Sequence, residues 1–144
     1  MFHKLILWYH FLSKKRLNPI TSDPDGNLWF TENLVNEIGK ISPKTGSITE
    51  YVVPTNNAYP IDITTGPDGN LWFTEQLGKK IGEISPKTGI ITEYSFPDNV
   101  ADPIGIVAAP DSNLWSLTRM KSVKYLPQQV SLLICQYTAC QAFP

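Results

Sequence analysis

The sequence predicts an all-β fold, a partial β-propeller built from four-stranded antiparallel blades that repeat every 43 residues. Pro24, Pro67 and Pro110 are spaced 43 residues apart. The motifs that follow them are DGNLWFTE, DGNLWFTE and the similar DSNLWSLT. The chain holds 12 prolines and 9 glycines, and no window of about ten residues between positions 23 and 110 lacks a turn signal. These observations indicate short strands joined by tight turns and exclude helices from the repeats.

The two complete repeats are close copies of one unit. From Asp25 to Pro54 and from Asp68 to Pro97, 22 of 30 positions are identical. Periods of about 40 to 50 residues are typical of helical repeats or of four-stranded propeller blades. Because the turn signals exclude helices, this period favours blades.

Four strands are predicted in the second repeat, at 60–66, 71–75, 79–85 and 90–96. The first alternates isoleucine with polar residues, and the second, LWFTE, is rich in aromatic and β-branched residues. The words PDGN and PKTG are turns, because Asp and Pro favour the first turn positions and Gly supplies the left-handed residue. The four strands therefore form one blade joined by hairpins.

Each blade is predicted to have two apolar faces. Side chains alternate along a strand, so Leu71 and Phe73 point away from Trp72. Neighbouring blades must cover both faces, as in other radially repeated β structures. A flat or solenoidal array of the same unit is the alternative. Trp29, Trp72 and Trp115 occur once per repeat and either pack between blades or stack on a flat ligand.

The repeat divides the chain into five segments. We assign blade 1 to 19–59, blade 2 to 60–102, the start of blade 3 to 103–118, and sequence without the pattern to 1–18 and 119–144. The N-terminal segment is either the outer strand of a preceding blade, at 6–13, or foreign sequence. After Trp115 the word KIGEISPKTG does not return, which is also the result expected of a frameshift or truncation. Incomplete rings leave blade faces uncovered, so we expect self-association.

Composition excludes several classes of partner. Twelve Lys and Arg balance thirteen Asp and Glu, so no basic field exists to hold nucleic acid or an anionic membrane. The apolar run at 5–12 is too short to span a bilayer and lacks a signal-peptide cleavage site, so we expect a cytoplasmic chain. Cys135 and Cys140 have neither the spacing of zinc ligands nor that of a disulfide framework, and no role is predicted for them.

The words GPDGNLWFTE and KIG-x-ISP-x-TG-x-ITEY resemble the virginiamycin B lyase, or streptogramin lyase, family of seven-bladed β-propellers. The resemblance extends from about Asp23 to Trp115. It implies a magnesium-dependent carbon–oxygen lyase that opens the ring of type B streptogramin antibiotics by elimination at the ester. That chemistry needs a histidine base beside a metal that polarises the carbonyl. The implied partners are therefore a small-molecule antibiotic and magnesium.

The resemblance also implies where catalytic histidines should lie. Family lyases carry them in words like PHGI, in the connector that leads into the inner strand of a blade. Here the corresponding words are PIT, PID and PIG, which place Ile20, Ile61 and Ile104 at the histidine positions. Isoleucine cannot accept a proton, so no catalytic residue is predicted. His3 and His10 precede the repeats and do not match the motif.

Three carboxylates are candidate metal ligands. Asp62 follows the PI word, where it either faces a metal at the channel mouth or is a solvated surface residue. Glu32 and Glu75 end the two LWFTE strands. Because this glutamate recurs in both repeats, it either has a structural role, such as accepting hydrogen bonds from a connector, or binds a metal.

Three functions are consistent with these patterns. The leading hypothesis is a virginiamycin B lyase-like propeller fragment that is inactive by itself because it lacks the catalytic histidines. A ligand- or protein-binding propeller module is the alternative, since one fold supports many functions. A gene fragment without function is the third. Further blades with PHGI-like words would favour the enzyme, and their absence would favour the binding module.

Overall fold

The computed structural model describes the backbone of residues 17–96, 102–118, 122–126, 131–136 and 139–143, and the side chains of 19–96 and 102–118. In these residues every regular element is a β-strand. The predicted all-β class is therefore confirmed. Within the same ranges, no helix has the length and apolar character needed to cross a bilayer.

Within the described residues, three antiparallel sheets follow one another, each with its strands in sequence order. Sheets 1 and 2 have four strands each, as the repeat predicts. Sheet 1 contains β1 (Leu17–Ser22), β2 (Leu28–Glu32), β3 (Glu37–Ile41) and β4 (Ile48–Val52). Sheet 2 contains β5 (Pro60–Thr65), β6 (Leu71–Glu75), β7 (Lys80–Ile84) and β8 (Ile91–Ser95).

Sheet 3 continues beyond the point where the repeated words end. Its strands are β9 (Pro103–Ala108), β10 (Leu114–Thr118), β11 (Ser122–Leu126), β12 (Ser131–Gln136) and β13 (Ala139–Phe143). In the last hairpin Cys135 is paired with Cys140 along the backbone. Because strand pairing uses backbone groups, the sheet can extend through residues that no longer match the repeat.

The turn between the first two strands of each sheet requires a left-handed residue. Gly26 and Gly69 have φ angles of 82° and 79° in sheets 1 and 2. Sheet 3 has Ser112 at this position, with φ of 61°. Each of the three residues donates its N–H to the carbonyl three residues earlier, at 3.0 to 3.1 Å. The turn is therefore retained in sheet 3, although a non-glycine residue in this conformation costs about 1 kcal/mol.

An apolar cluster lies between sheets 1 and 2. Trp29 of sheet 1 is completely buried in a cluster with Ile63, Leu71 and Phe73 of sheet 2. The predicted alternation is confirmed, because Leu71 and Phe73 belong to this cluster while Trp72, between them, does not.

The same arrangement recurs between sheets 2 and 3. Trp72 of sheet 2 is buried with Ile106 and Leu114 of sheet 3. The tryptophan of one sheet thus packs against an isoleucine and a leucine of the next. For Trp29 and Trp72, burial supports packing between blades rather than stacking on a ligand.

Each of these indoles is fixed by one hydrogen bond and one aromatic neighbour. Trp29 Nε1 donates to Asp23 Oδ2 at 2.9 Å, and its ring stacks on Tyr51 with centroids 5.5 Å apart. Trp72 Nε1 donates to Asp68 Oδ1 at 3.1 Å, and its ring stacks on Tyr94 at 5.7 Å. The indole N–H is therefore satisfied inside the apolar cluster.

A phenylalanine lies over a glycine of the neighbouring strand in sheets 1 and 2. Phe73 is paired with Gly82, and Phe30 with Gly39. A methyl group on either glycine would overlap the phenylalanine ring. Glycine is needed at these strand positions because the ring takes the space of a side chain.

We expect Trp72→Ala to lower the free energy of unfolding by about 3–5 kcal/mol, because it removes the centre of a buried cluster. Urea denaturation monitored by circular dichroism measures the change. Ile90→Ala is the matched control, since Ile90 is exposed in a turn and should change stability by at most about 0.5 kcal/mol. A loss below 1 kcal/mol in Trp72→Ala would contradict this role of the indole.

Candidate functional site

The first strands of the three sheets, β1, β5 and β9, adjoin one another, with β5 in contact with both others. The first residue of each strand is paired with the last residue of the second strand. These pairs are Leu17 with Glu32, Pro60 with Glu75, and Pro103 with Thr118. We call this end of the sheets the connector end, because the chain enters each first strand there.

The register corrects one of the three histidine-equivalent positions. Ile20 pairs with Phe30 in the same way as Ile63 pairs with Phe73. Ile20 is therefore the counterpart of Ile63 rather than of Ile61. The proline of PIT lies two residues closer to the following turn than the proline of PID does. Alignment of the two motifs by their prolines therefore shifts the first repeat by two residues.

The counterpart of Ile61 and Ile104 in sheet 1 is Asn18. An amide does not accept a proton at neutral pH, so the corrected position supplies no base either. The side chain of Ile61 is half-buried and that of Ile104 is exposed. His3 and His10 lie outside the described residues.

Asp62 links the first strands of sheets 2 and 3. Its Oδ2 accepts a hydrogen bond from the backbone N–H of Ile106 at 2.8 Å, and its Oδ1 accepts one from Ile63 at 2.9 Å. The backbone N–H of Asp62 donates to Thr74 Oγ1 at 3.0 Å. The carboxylate is half-buried and takes part in a contact between blades.

A cavity of about 330 Å³ lies next to Asp62. Its walls are mostly apolar and come from the first two strands of sheet 3. They are formed by Asp62, Gly105, Ile106, Val107, Trp115, Ser116 and Leu117. Trp115 is the one repeated tryptophan of the described residues that is only half-buried, and it therefore has surface available to a ligand.

Glu32 belongs to a cluster of three carboxylates at the connector end of sheet 1. One oxygen from each of Glu32, Glu37 and Glu50 lies within 4.8 Å of the others. Glu32 is fully buried, Glu37 is half-buried and Glu50 is exposed. Carboxylate oxygens at such spacing suit a hard divalent cation.

Glu75, the counterpart of Glu32, has different neighbours. Lys80 takes the place of Glu37, and its Nζ lies 2.8 Å from Glu93 Oε2. Thr55 also donates to Glu93, from its N–H at 2.8 Å and its hydroxyl at 2.9 Å. The ammonium group of Lys80 thus supplies a cation to this side-chain cluster of sheet 2.

The two glutamates of the sheet 2 cluster have opposite pKa shifts. Burial raises the pKa of Glu75 to about 8, and the charge of Glu93 adds to the shift while Lys80 opposes it. A side-chain hydrogen bond with Glu93, which a protonated Glu75 can donate, also raises this pKa. Burial also tends to raise the pKa of Glu93, but hydrogen bonds from Lys80 and Thr55 outweigh this effect, so that the pKa is lowered. Glu75 therefore holds a proton at neutral pH, whereas Glu93 is ionised.

The sequence did not point to Glu37 and Glu50. A position-by-position alignment of the two repeats identifies Glu37, because it aligns with Lys80, a residue of opposite charge. Such reversals between otherwise identical copies mark sites where the surroundings differ. Of the three candidate metal ligands in the described residues, Glu32 lies with two other carboxylates, whereas Glu75 lies with Glu93 and Lys80.

We expect Glu75→Gln to remove a pH dependence of stability. The folded-state pKa of about 8 lies above the ordinary value of 4.5, so the contribution of Glu75 is fully present below about 4.5. It is lost as pH rises through about 8. Since each pKa unit between the two values is worth about 1.4 kcal/mol, the variant should be more stable than the parent chain at pH 8 by roughly 4 kcal/mol, and at pH 4.5 the difference should nearly vanish.

Urea denaturation at pH 4.5, 6, 7 and 8 measures this difference. Asp25→Asn is the control for removal of one carboxylate, since Asp25 is exposed in a turn. Equal stability of Glu75→Gln and the parent chain at every pH would show that Glu75 is not held in its protonated form.

Comparison with known proteins agrees with the repeat architecture. The sequence profile of the Virginiamycin B lyase family matches residues 11–123. Crystalline selenomethionine-substituted virginiamycin B lyase from Staphylococcus aureus is similar in structure, with 27% identity and a TM-score of 0.73. The similarity covers 90% of this chain and 55% of that chain. No curated protein sequence gave a significant match.

Two further structures are also similar to this chain. A streptogramin B lyase structure has 27% identity and a TM-score of 0.75, over 90% of this chain and 54% of that chain. Kuenenia stuttgartiensis hydrazine synthase, at 14% identity, shares only the fold, with a TM-score of 0.66 over 85% of this chain and 44% of that chain. The chain therefore spans about half the length of the lyases that it resembles. With its four-stranded antiparallel repeats and its profile match over most of its length, the chain belongs to the virginiamycin B lyase family of β-propellers.

Proposed function

We propose that this chain is a virginiamycin B lyase-like propeller segment that binds a type B streptogramin but does not by itself open its ring. The observation that carries the proposal is the pair Ile61 and Ile104, at equivalent connector positions of two adjacent sheets. Family membership supports the ligand class, since a catalytically inactive Staphylococcus aureus lyase was crystallised with quinupristin.

The chemical reason lies in the proton that must be removed. Elimination at an ester needs a base next to the carbon beside the carbonyl, and such a base contributes about 10² to 10⁴ in rate. An aliphatic side chain contributes none of this. Asp62 is the nearest ionisable residue in sequence to Ile61, and both of its oxygens accept backbone hydrogen bonds.

We also propose that magnesium, the metal implied by the family, is held by Glu32, Glu37 and Glu50. These residues offer the oxygen ligands that magnesium prefers, at a mutual spacing within 4.8 Å. In sheet 2 the ammonium of Lys80 lies in the corresponding cluster. A bound magnesium ion would supply polarisation of a substrate carbonyl.

A ligand-binding module without antibiotic specificity is the second candidate function. The cavity beside Asp62 favours it, because apolar walls with one carboxylate are typical of sites for small organic ligands.

We expect magnesium chloride to raise the melting temperature of the parent chain and to have no such effect on Glu37→Lys. The variant gives sheet 1 the charges of sheet 2 and places an ammonium group where the metal would bind. Differential scanning fluorimetry at a series of magnesium concentrations measures the shift. Asp25→Lys is a control for the change in net charge, since Asp25 is exposed in a turn and lies outside the cluster. An equal magnesium response in all three proteins would contradict the assignment.

We expect quinupristin to bind the chain and to remain intact in the presence of magnesium. Isothermal titration calorimetry measures binding, and mass spectrometry after incubation detects a ring-opened product. The Staphylococcus aureus lyase is the positive control. A ring-opened product that disappears when a chelator is added would contradict the proposed lack of catalysis, and failure to bind would favour the second candidate.

A further inference from the structure

The two contacts between sheets use the same pair of surfaces. We call the side of a sheet that carries its repeated tryptophan the Trp face, and the opposite side, which carries an isoleucine and a leucine, the aliphatic face. The Trp faces hold Trp29, Trp72 and Trp115, and the aliphatic faces hold Ile20 with Leu28, Ile63 with Leu71, and Ile106 with Leu114. Three sheets thus have three of each face but only two contacts between them.

The unmatched aliphatic face is that of sheet 1. Where a preceding tryptophan covers the isoleucine, Ile63 is 4% exposed and Ile106 is 7% exposed, but Ile20 is 58% exposed. Leu28 is half-buried, while its counterparts Leu71 and Leu114 are completely buried. The first two strands of sheet 1 therefore present the same surface that the other sheets bury.

The unmatched Trp face is that of sheet 3. Trp115 is only half-buried, and Val107 and Leu117 beside it are 57% and 58% exposed. The cavity beside Asp62 opens between these side chains. The described side chains that sheet 3 contributes to this face carry no charge, and the one carboxylate at the cavity, that of Asp62, belongs to sheet 2 and accepts backbone hydrogen bonds, so the surface suits an apolar partner.

Apolar packing, rather than hydrogen bonding, is the part of the contact that recurs. Between sheets 1 and 2, Thr31 donates to the carbonyl of Ile61 at 2.7 Å, and Thr21 and Thr65 are within hydrogen-bond distance at 3.2 Å. The counterparts of Thr31 and Thr21 in sheet 3 are Leu117 and Val107, which cannot form such bonds. The Trp face of sheet 3 has thus exchanged polar contacts for additional apolar area.

We propose that the Trp face of sheet 3 docks onto the aliphatic face of sheet 1 in a second copy of this chain, and that the contact is reciprocal. Each interface would continue the arrangement already present twice within the chain. Because the same contact then forms at both junctions, two copies supply six sheets, within the range of about four to eight sheets that close a propeller ring. The pair has two-fold symmetry and leaves neither face uncovered.

A dimer with two Trp faces in direct contact explains less of the structure. It would place Trp115 against its own copy and would leave Ile20 and Leu28 exposed to solvent. Only the head-to-tail arrangement covers both unmatched faces with the partner that each has inside the chain.

Sedimentation velocity at about 50 µM tests the assembly. We expect the full chain to sediment at twice its mass of 16.1 kDa, and Ile20→Asp to sediment as a monomer. Ile90→Asp is the matched control: Ile90 is 67% exposed and lies in the turn between β7 and β8, away from both faces, so this variant should remain dimeric. Circular dichroism spectra and urea denaturation establish that all variants are folded.

A mixing experiment separates the two possible geometries. Leu117→Asp blocks the Trp face, whereas Ile20→Asp blocks the aliphatic face, so each variant alone should be monomeric. An equimolar mixture retains one intact junction, and we expect it to form a heterodimer that dissociates at least tenfold more readily than the parent dimer. Direct contact between Trp faces would instead leave Ile20→Asp dimeric.

Several results would overturn the proposal. These are a monomeric parent chain at 50 µM, a dimer that neither substitution disrupts, and a mixture of the two variants that remains monomeric. An open-ended series of masses in the parent chain would contradict the closed two-copy ring.

Discussion

Burial of an indole against the isoleucine and leucine of the next sheet is the interaction on which the rest of this structure depends. A four-stranded sheet has two faces and cannot cover either by itself, so every blade is stable only as the neighbour of another. The contact recurs with Trp29 and Trp72, whose N–H groups are each satisfied by a nearby aspartate. This requirement explains why a short chain contains nearly identical repeats.

The duplicated frame lets chemistry vary while the packing is conserved. At the connector end, Glu32 and Glu75 occupy equivalent positions in two sheets. Glu32 lies with two other carboxylates, whereas Glu75 lies with a lysine and one carboxylate. Neither change affects the buried clusters, because these side chains lie at the end of the sheet. A propeller can therefore alter the charge of one blade without altering the fold.

The sequence predicts the fold well because turns and alternation are local signals. The first two sheets, their strand order and the opposite directions of Trp72 and Phe73 all follow from patterns within a few residues. It predicts the site less well, because function depends on pairing across strands. Alignment by proline places Ile20 opposite Ile61, but this proline lies two residues closer to the turn than the one in repeat 2, and only strand pairing identifies Ile20 as the counterpart of Ile63. Likewise, strands β11 to β13 pair through their backbones, and their sequence, which lacks the repeat motifs, did not predict this pairing.

The phenylalanine and glycine that face each other in sheets 1 and 2 have a consequence for how such a gene can change. In sheet 3 the corresponding residues are Ser116 and Val123, so the larger and the smaller residue have exchanged strands. Crossing-over between the DNA of repeats 1 and 2 gives a compatible pair wherever the breakpoint falls. A breakpoint between these two positions that joins repeat 2 to the third would place phenylalanine opposite valine, where even a methyl group is too large. Exchange that joins the first part of repeat 2 to the last part of the third unit is therefore compatible with packing only where the breakpoint lies outside this interval.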